Sequence, residues 1–396
     1  MTNYGFVINN KTCIGCHACT VACKSEHDVP IGVNRTHVKY IETGTYPDST
    51  REFSVHRCNH CEDSPCTTIC PTTALFTRSD GIVDFDDERC IGCKSCMQAC
   101  PYDALYIDPN KGTAAKCNYC AHRIENSYEP ACVIVCPTES IVSGDLDDPE
   151  SSISMLVAKH NTTVRKPDSG ARPNLYYIDA SDEMLDPSAT EVTGSGMWTE
   201  QAFGVGHFAK YAENRLDEAD ATSMIVQLAL EKKAKKSAPR DQAIIRDVME
   251  RLSDDSSEAK RSYDQPSKGV LWGWEVSAYI WTKGIAAGTY VVAILAMMAG
   301  IVEMSDSLWA MTLSVGIIFL AITGLLLVID LDRPERFLYV MLRPNWDSWL
   351  VKGAYLLSGY GGILALSASV LVFDLDRNLL TYLAVAGVPL ALLTGI

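Results

Sequence analysis

From Ser277 onward the chain is mostly apolar, in long runs broken by short polar stretches. The runs are Ile285–Val302, which extends toward Trp274, then Leu308–Ile329, Ala354–Phe373 and Leu379–Ile396. Each approaches the ~20 residues that cross a bilayer core as a helix. A buried core helix would explain any one of them, but not four in succession. Trp272, Trp274, Tyr279, Trp281, Trp346 and Trp349 stand at the ends, where interface anchors belong. Residues 181–268 are polar. Apolar positions recur there at helical spacing over Ile225–Leu230 and Gln242–Leu252, with Pro239 between. Ser253–Ser267 is charged and serine-rich, which predicts a flexible stretch.

In the first 136 residues the dominant pattern is cysteine. All sixteen cysteines lie there, in four groups of four. Cys13, Cys16, Cys19, Cys23 and Cys90, Cys93, Cys96, Cys100 follow the C-x2-C-x2-C-x3-C spacing of bacterial ferredoxins. Cys58, Cys61, Cys66, Cys70 and Cys117, Cys120, Cys132, Cys136 are stretched between their second and third members. A cysteine at every third residue of a tight loop points three thiolates at one cubane. The fourth starts a helix and serves a neighbouring cluster. Gly15 and Gly92 sit where a side chain would crowd the core. Pro71, Pro101 and Pro137 turn the chain away after the last cysteine of their groups, whereas Lys24 follows Cys23. A disulfide framework does not explain the three-residue repeat or the trailing prolines. Structural zinc could suit the second and fourth groups but not the other two. Four [4Fe–4S] clusters are therefore expected. His17, His60, Lys94 and His122 are read as solvated surface residues, with tuning of cluster potentials as the alternative.

The net charge of −15 argues against nucleic acid, whose phosphates need a positive surface. The basic run Lys232–Lys236 is then a solvated helix end or a membrane-surface contact. His207 has no partner nearby in sequence, and no histidine follows it. No bis-histidine haem can therefore be built from the apolar segment. Lys283 lies about two turns inside the first span, where a charge costs roughly 2.5–3.5 kcal/mol. It is either functional or a lysine snorkelling to the interface. Glu275, Tyr279, Asp330 and Arg333 are the other candidates for a quinone pocket or proton route, since quinone reduction takes up protons with electrons. The chain ends inside its fourth apolar run, which suggests a longer reading frame.

The four cysteine groups, closed by Pro173-Asn174-Leu175-Tyr176-Tyr177, resemble the electron-transfer subunits of the dimethyl sulfoxide and polysulfide reductase group over residues 1–180. The resemblance implies the ligand sets. They are Cys13, Cys16, Cys19 with Cys136; Cys117, Cys120, Cys132 with Cys23; Cys58, Cys61, Cys66 with Cys100; and Cys90, Cys93, Cys96 with Cys70. It also implies a separate molybdopterin catalytic subunit. Trp272-Gly273-Trp274-Glu275, Lys283 to Gly288, Asp330 to Phe337 and Leu342-Arg343-Pro344 resemble NrfD-like, polysulfide-reductase-type membrane subunits, which exchange electrons with quinone (menaquinone or ubiquinone).

The expected fold class is α+β. A tandem ferredoxin-like 4Fe–4S domain over 1–180 is followed by a polar linker over 181–268. A partial all-α transmembrane bundle of four spans occupies 269–396. The expected function is electron transfer between the quinone pool and the catalytic subunit. The alternatives are a membrane-tethered ferredoxin docking module without quinone chemistry, and a complex that moves protons. The loop Asp330–Lys352 carries Arg333, Arg336, Arg343 and Lys352, whereas Glu303–Ser307 has no basic residue. The positive-inside rule places the cysteine-rich domain in the cytoplasm. The resemblance implies the other side when a twin-arginine partner carries the subunit outward.

Overall fold

The computed structural model describes residues 2–45, 48–186, 191–192, 259–263 and 272–394. The helices expected at Ile225–Leu230 and Gln242–Leu252, the run Lys232–Lys236, and His207 lie outside the described residues. The chain divides into two compact units. The first is Met1–Pro65, Phe76–Phe85 and Met97–Leu271. The second is Cys66–Leu75, Asp86–Cys96 and Trp272–Ile396.

The first unit is α+β. Strand Tyr4–Asn9 lies between the antiparallel strand Ile141–Asp145 and the parallel strand Leu175–Ile178, and Thr162–Thr163 completes that sheet. Phe6 pairs with Leu175 on one side and Ser143 on the other. The segment Leu175-Tyr176-Tyr177 therefore lies in a strand beside the first one. Just before it, Asn174 N donates to Asn59 O (2.9 Å), inside the second cysteine group. Phe6, Ile8, Leu175 and Tyr177 pack with Cys19, Cys132, Val55 and Tyr119, so the sheet and the cysteine loops share one core.

A second sheet orders Glu191–Val192, Lys260–Tyr263, His37–Thr45 and Asp48–His56. Lys260–Tyr263 pairs antiparallel with His37–Thr45. Within Ser253–Ser267, Lys260–Tyr263 is thus a strand and not a flexible stretch, while residues 253–258 and 264–267 lie outside the described residues. The polar composition of Lys260–Tyr263 is compatible with a strand, because the ladder satisfies its backbone groups whatever its side chains are.

The second unit is helical. Trp274–Met298, Asp306–Ile329 and Trp349–Val372 have 25, 24 and 24 residues and are long and apolar enough to cross a membrane. At 1.5 Å per residue they reach about 36 Å, more than the ~30 Å hydrocarbon core. Ser305 caps the second, its Oγ accepting from Leu308 N (3.3 Å). The fourth run is a helix only over Asn378–Leu393, 16 residues. Among the described residues there are thus three spanning helices by length, not four. A polar turn precedes the shorter one, where Arg377 pairs with Asp374 (3.0 Å) and Asp306 (3.1 Å).

The helices are joined by small residues and buried polar contacts, as membrane helices are. Tyr360 OH donates to Ala286 O (2.9 Å), and the Thr282 and Thr323 hydroxyls bond at 2.8 Å. Tyr290 packs edge-on to Tyr360 and against Gly387, where any Cβ would collide with its ring.

Tyr119 ties the first sheet to the fourth cysteine group. Its hydroxyl donates to Gly5 O (2.6 Å) and accepts from Gly144 N (3.1 Å), and the side chain is fully buried. Tyr119→Phe leaves a buried carbonyl and a partly buried N–H without this partner. The expected loss is about 1–3 kcal/mol of stability, read as a lower guanidinium midpoint for loss of cluster absorbance. An unchanged midpoint would remove Tyr119 from the structural framework.

Candidate metal centres and the membrane-side ionisable groups

The ferredoxin-type loops wind through the left-handed region. Gly15 (φ 66°) and His17 (φ 61°) are matched by Gly92 (φ 71°) and Lys94 (φ 61°). Such turns present successive N–H groups to an anion. A Cβ on Gly15 would collide with the Phe53 ring. The geometry thus fixes both the loop conformation and the need for glycine.

None of the sixteen cysteines is in a disulfide, and only Cys16 is exposed. Cys13, Cys16, Cys19 and Cys136 line one cavity in the first unit. Burial pushes the Cys19 thiol up to about 11. At Cys136 burial is outweighed by hydrogen bonds from the backbone at Thr138, Ser140 and Ile141, and its thiol is held below the usual range. A second set is Cys23, Cys117, Cys120 and Cys132. Burial raises Cys23 to about 12, with Cys132 and Cys120 close enough to raise it further, and Cys117 is raised by burial and then by Cys23. Cys58, Cys61 and Cys100 gather around Tyr102 and Ala104. In the second unit, Cys93 is raised to about 12 by burial, with Cys70 and Cys90 adding to it, and Cys96 responds to burial and then to Cys93, Cys90 and Cys70.

Thiols this buried are protonated unless a metal takes them, so loading the sites releases protons. Among the described residues no three His, Cys, Asp or Glu side chains converge where a single ion would sit. A cubane asks for no such single-ion point, because its four thiolates bind four separate irons.

The set Cys70, Cys90, Cys93, Cys96 is gripped by the loop after the second long helix. Arg336 Nη1 donates to Asp87 O (2.6 Å) and Cys90 O (2.9 Å). Asn345 Nδ2 donates to Cys70 O (2.8 Å), and Ser348 Oγ to Ile69 O (2.7 Å). Arg333 N reaches Ile91 O (3.2 Å), while Ile91 packs on Val340 and Val351. Trp272 Nε1 donates to Cys93 O (3.4 Å). Sequence reasoning missed Asn345 and Ser348. Their signal is weak, because a polar residue that caps carbonyls of another segment looks like any loop residue.

Two side chains read as solvated are not. His60 is fully buried, tilted against Phe6 and edge-on to Tyr119, and its Nδ1 accepts from Val83 N (3.2 Å). Lys94 makes an ion pair with Asp332 (3.3 Å), each side chain about one-tenth exposed. Their polarity suggested water; their places inside C-x2-C loops put them against packed protein. His17 bonds to Tyr40 OH (3.0 Å), and His122 is exposed and paired with Glu26 (2.7 Å).

Of the candidates for proton chemistry, the structure brings Asp330 close to Glu275, Tyr279 and Lys94, near enough to act on one another electrostatically. Lys283 is half-buried, and no hydrogen bond or ion pair reaches it among the described residues. Arg333 Nη1 is paired with Glu335 (3.2 Å).

Residues 50–146 match the model of the 4Fe-4S dicluster domain, and residues 264–388 that of polysulphide reductase, NrfD. The B component of polysulfide reductase from Wolinella succinogenes is 41% identical over 178 residues, 44% of this chain and 93% of the relative. The B component of tetrathionate reductase from Salmonella typhimurium is 39% identical over 188 residues, covering 46% and 75%. Protein NrfC of Escherichia coli K12 is 40% identical over 178 residues, covering 44% and 80%. The protein belongs to the family of iron–sulfur subunits of the dimethyl sulfoxide and polysulfide reductase group, here with an NrfD-type membrane domain in the same polypeptide. It is a multi-pass electron-transfer protein of a membrane-bound reductase complex.

Crossed ligation makes one prediction. Cys13→Ser and Cys136→Ser should perturb the same cluster signal in EPR, despite their separation in sequence. Different signals would break the Cys13, Cys16, Cys19, Cys136 set.

A second prediction concerns pH. Burial pushes the Asp330 carboxyl up to about 6 from its ordinary 3.8; Lys94 opposes this, and Glu275 and Asp332 add to it. Folding then favours the protonated acid. Its contribution to stability is complete below about pH 4 and is lost as pH rises through about 6. An infrared carboxylic-acid band should titrate near pH 6 and be absent from Asp330→Asn. A band that titrates at the ordinary carboxylate value would refute the assignment.

Proposed function

We propose that the chain carries electrons through four [4Fe–4S] clusters between a membrane quinone and a separate catalytic subunit of the molybdopterin type. One observation carries this reading. The second unit holds a complete cysteine set, Cys70, Cys90, Cys93 and Cys96, together with Glu275, Tyr279 and Asp330 at the ends of spanning helices. A redox centre and proton-accepting groups in one unit are what quinol oxidation requires, since each quinol gives up two electrons and two protons. When bound, the clusters supply one-electron steps. The cysteines hold them, and Asp330 and Glu275 accept and pass on protons, with Tyr279 beside them to orient the quinol. For Cys58, Cys61, Cys66 and Cys100 the set is the one that the family pattern implies. The names of the relatives support a reductase complex with a distinct catalytic subunit, acting on polysulfide, tetrathionate or a similar acceptor.

The basic loop after the second helix supports a cytoplasmic iron–sulfur side. One observation weakens that support. Arg336 is engaged with the carbonyls of Asp87 and Cys90, so the fold itself gives a reason for an arginine there.

The test uses the anaerobically reconstituted full chain in vesicles. It should contain about sixteen iron per polypeptide, four for each of four cubanes. Asp330→Asn should keep that iron while quinol-driven cluster reduction falls at least ~10-fold, about 1.4 kcal/mol in the barrier. Eight iron would remove the four-cluster reading. Normal quinol-driven reduction would move the quinone site away from Asp330 and toward Lys283.

A further inference from the structure

Arg57 directly follows the strand Asp48–His56 and immediately precedes Cys58. Its side chain is almost entirely buried, at 2% exposure. Nη1 donates to Cys132 Sγ (3.0 Å), and the guanidinium lies 4.7 Å from the centroid of the Phe6 ring. Nε and Nη2 are buried and have no acceptor from the protein. Among the described residues the one buried carboxylate is Asp108, whose Oδ1 takes the N–H groups of Asn110 and Lys111. Arg57 is thus a buried cation with two idle donors and no carboxylate.

Such a group is among the most destabilising a core can hold unless an anion meets it. The sulfur neighbours that act on it are Cys132, Cys117 and Cys19, which become thiolates when a cluster takes them. Those three cysteines come from two ligand sets, Cys19 from one and Cys117 and Cys132 from the other. A cubane with four thiolates is an anion with sulfur acceptors, and it gains a further negative charge on reduction. The planar fork of arginine can serve two acceptors at once, which a lysine ammonium does less well.

We propose that Arg57 is a positioning residue for electron transfer. Its guanidinium is the shared counter-ion of the clusters held by the Cys13 and Cys117 groups. It donates to Cys132 Sγ and offers Nε and Nη2 to cluster sulfur, and so favours the reduced state of both. The inference rests on the four-cluster reading, which the iron count tests separately.

The experiment compares Arg57→Met and Arg57→Lys in the reconstituted full chain by iron and sulfide content and by EPR-monitored redox titration. The two signals are assigned by their loss in Cys136→Ser and Cys23→Ser. Arg57→Met should keep its iron, and both midpoints should fall so that the reduced-to-oxidised ratio at fixed potential drops at least ~10-fold, 59 mV for a one-electron couple. Arg57→Lys should lose less than half of that. A residue that only packs would alter stability and leave the midpoints in place. Full iron in Arg57→Met with unchanged midpoints overturns the proposal, as does an equal shift in both variants. If Arg57→Met fails to load, Arg57→Lys decides: full iron with the small shift supports the counter-ion role, and loss of iron despite the retained charge overturns it.

Discussion

The meeting of Cys136 with Cys13, Cys16 and Cys19, far apart in the chain, constrains the rest of the first unit. Cys13, Cys16 and Cys19 share a cavity with Cys136, so the strands that flank these positions must also come together. They do: Tyr4–Asn9, just before Cys13, pairs with Ile141–Asp145, just after Cys136. The ligand set and the sheet are thus two expressions of one chain crossing. Tyr119 reinforces that crossing, because a residue of the fourth cysteine group holds backbone atoms of both strands.

A core built on thiolates has an electrostatic consequence. Ten of the cysteines are buried, and burial raises the thiols it acts on most strongly. The metal reverses this by replacing protons, and the anion it creates must then be balanced inside the protein. Arg57 and Lys116 are cations buried there, Lys116 with its ammonium on Val83 O and Cys117 O. The fold therefore carries part of the charge balance before any cluster is assembled.

In the second unit the same logic appears at a membrane surface. Arg336, Asn345 and Ser348 satisfy backbone carbonyls around Cys70 and Cys90, and Lys94 meets Asp332. A loop held by that many specific bonds has little freedom to shift its thiolates. The partly buried Asp330 lies within electrostatic reach of Lys94 and of Glu275, at the point where the helices emerge. Proton affinity and cluster environment are thereby set by neighbouring residues.

The cysteine spacing alone identified the metal chemistry, because a thiolate every third residue can serve few purposes, and the apolar runs alone announced a membrane part, because backbone in lipid must be helical or closed. The fourth run showed the limit of that argument: apolarity fixed the helix, but Asn378–Leu393 is shorter than a span among the described residues. Lys260–Tyr263 became a strand against its composition, since pairing with His37–Thr45 supplied what composition could not express. The burial of His60 and Lys94, the grip of Asn345 and Ser348, and the position of Arg57 were illegible for the same reason. Sequence records the type and local spacing of a side chain, and those settle loop conformation and lipid solubility. Whether a polar group faces water, a carbonyl or an anion depends on segments far away in the chain, and only the tertiary structure brings those together.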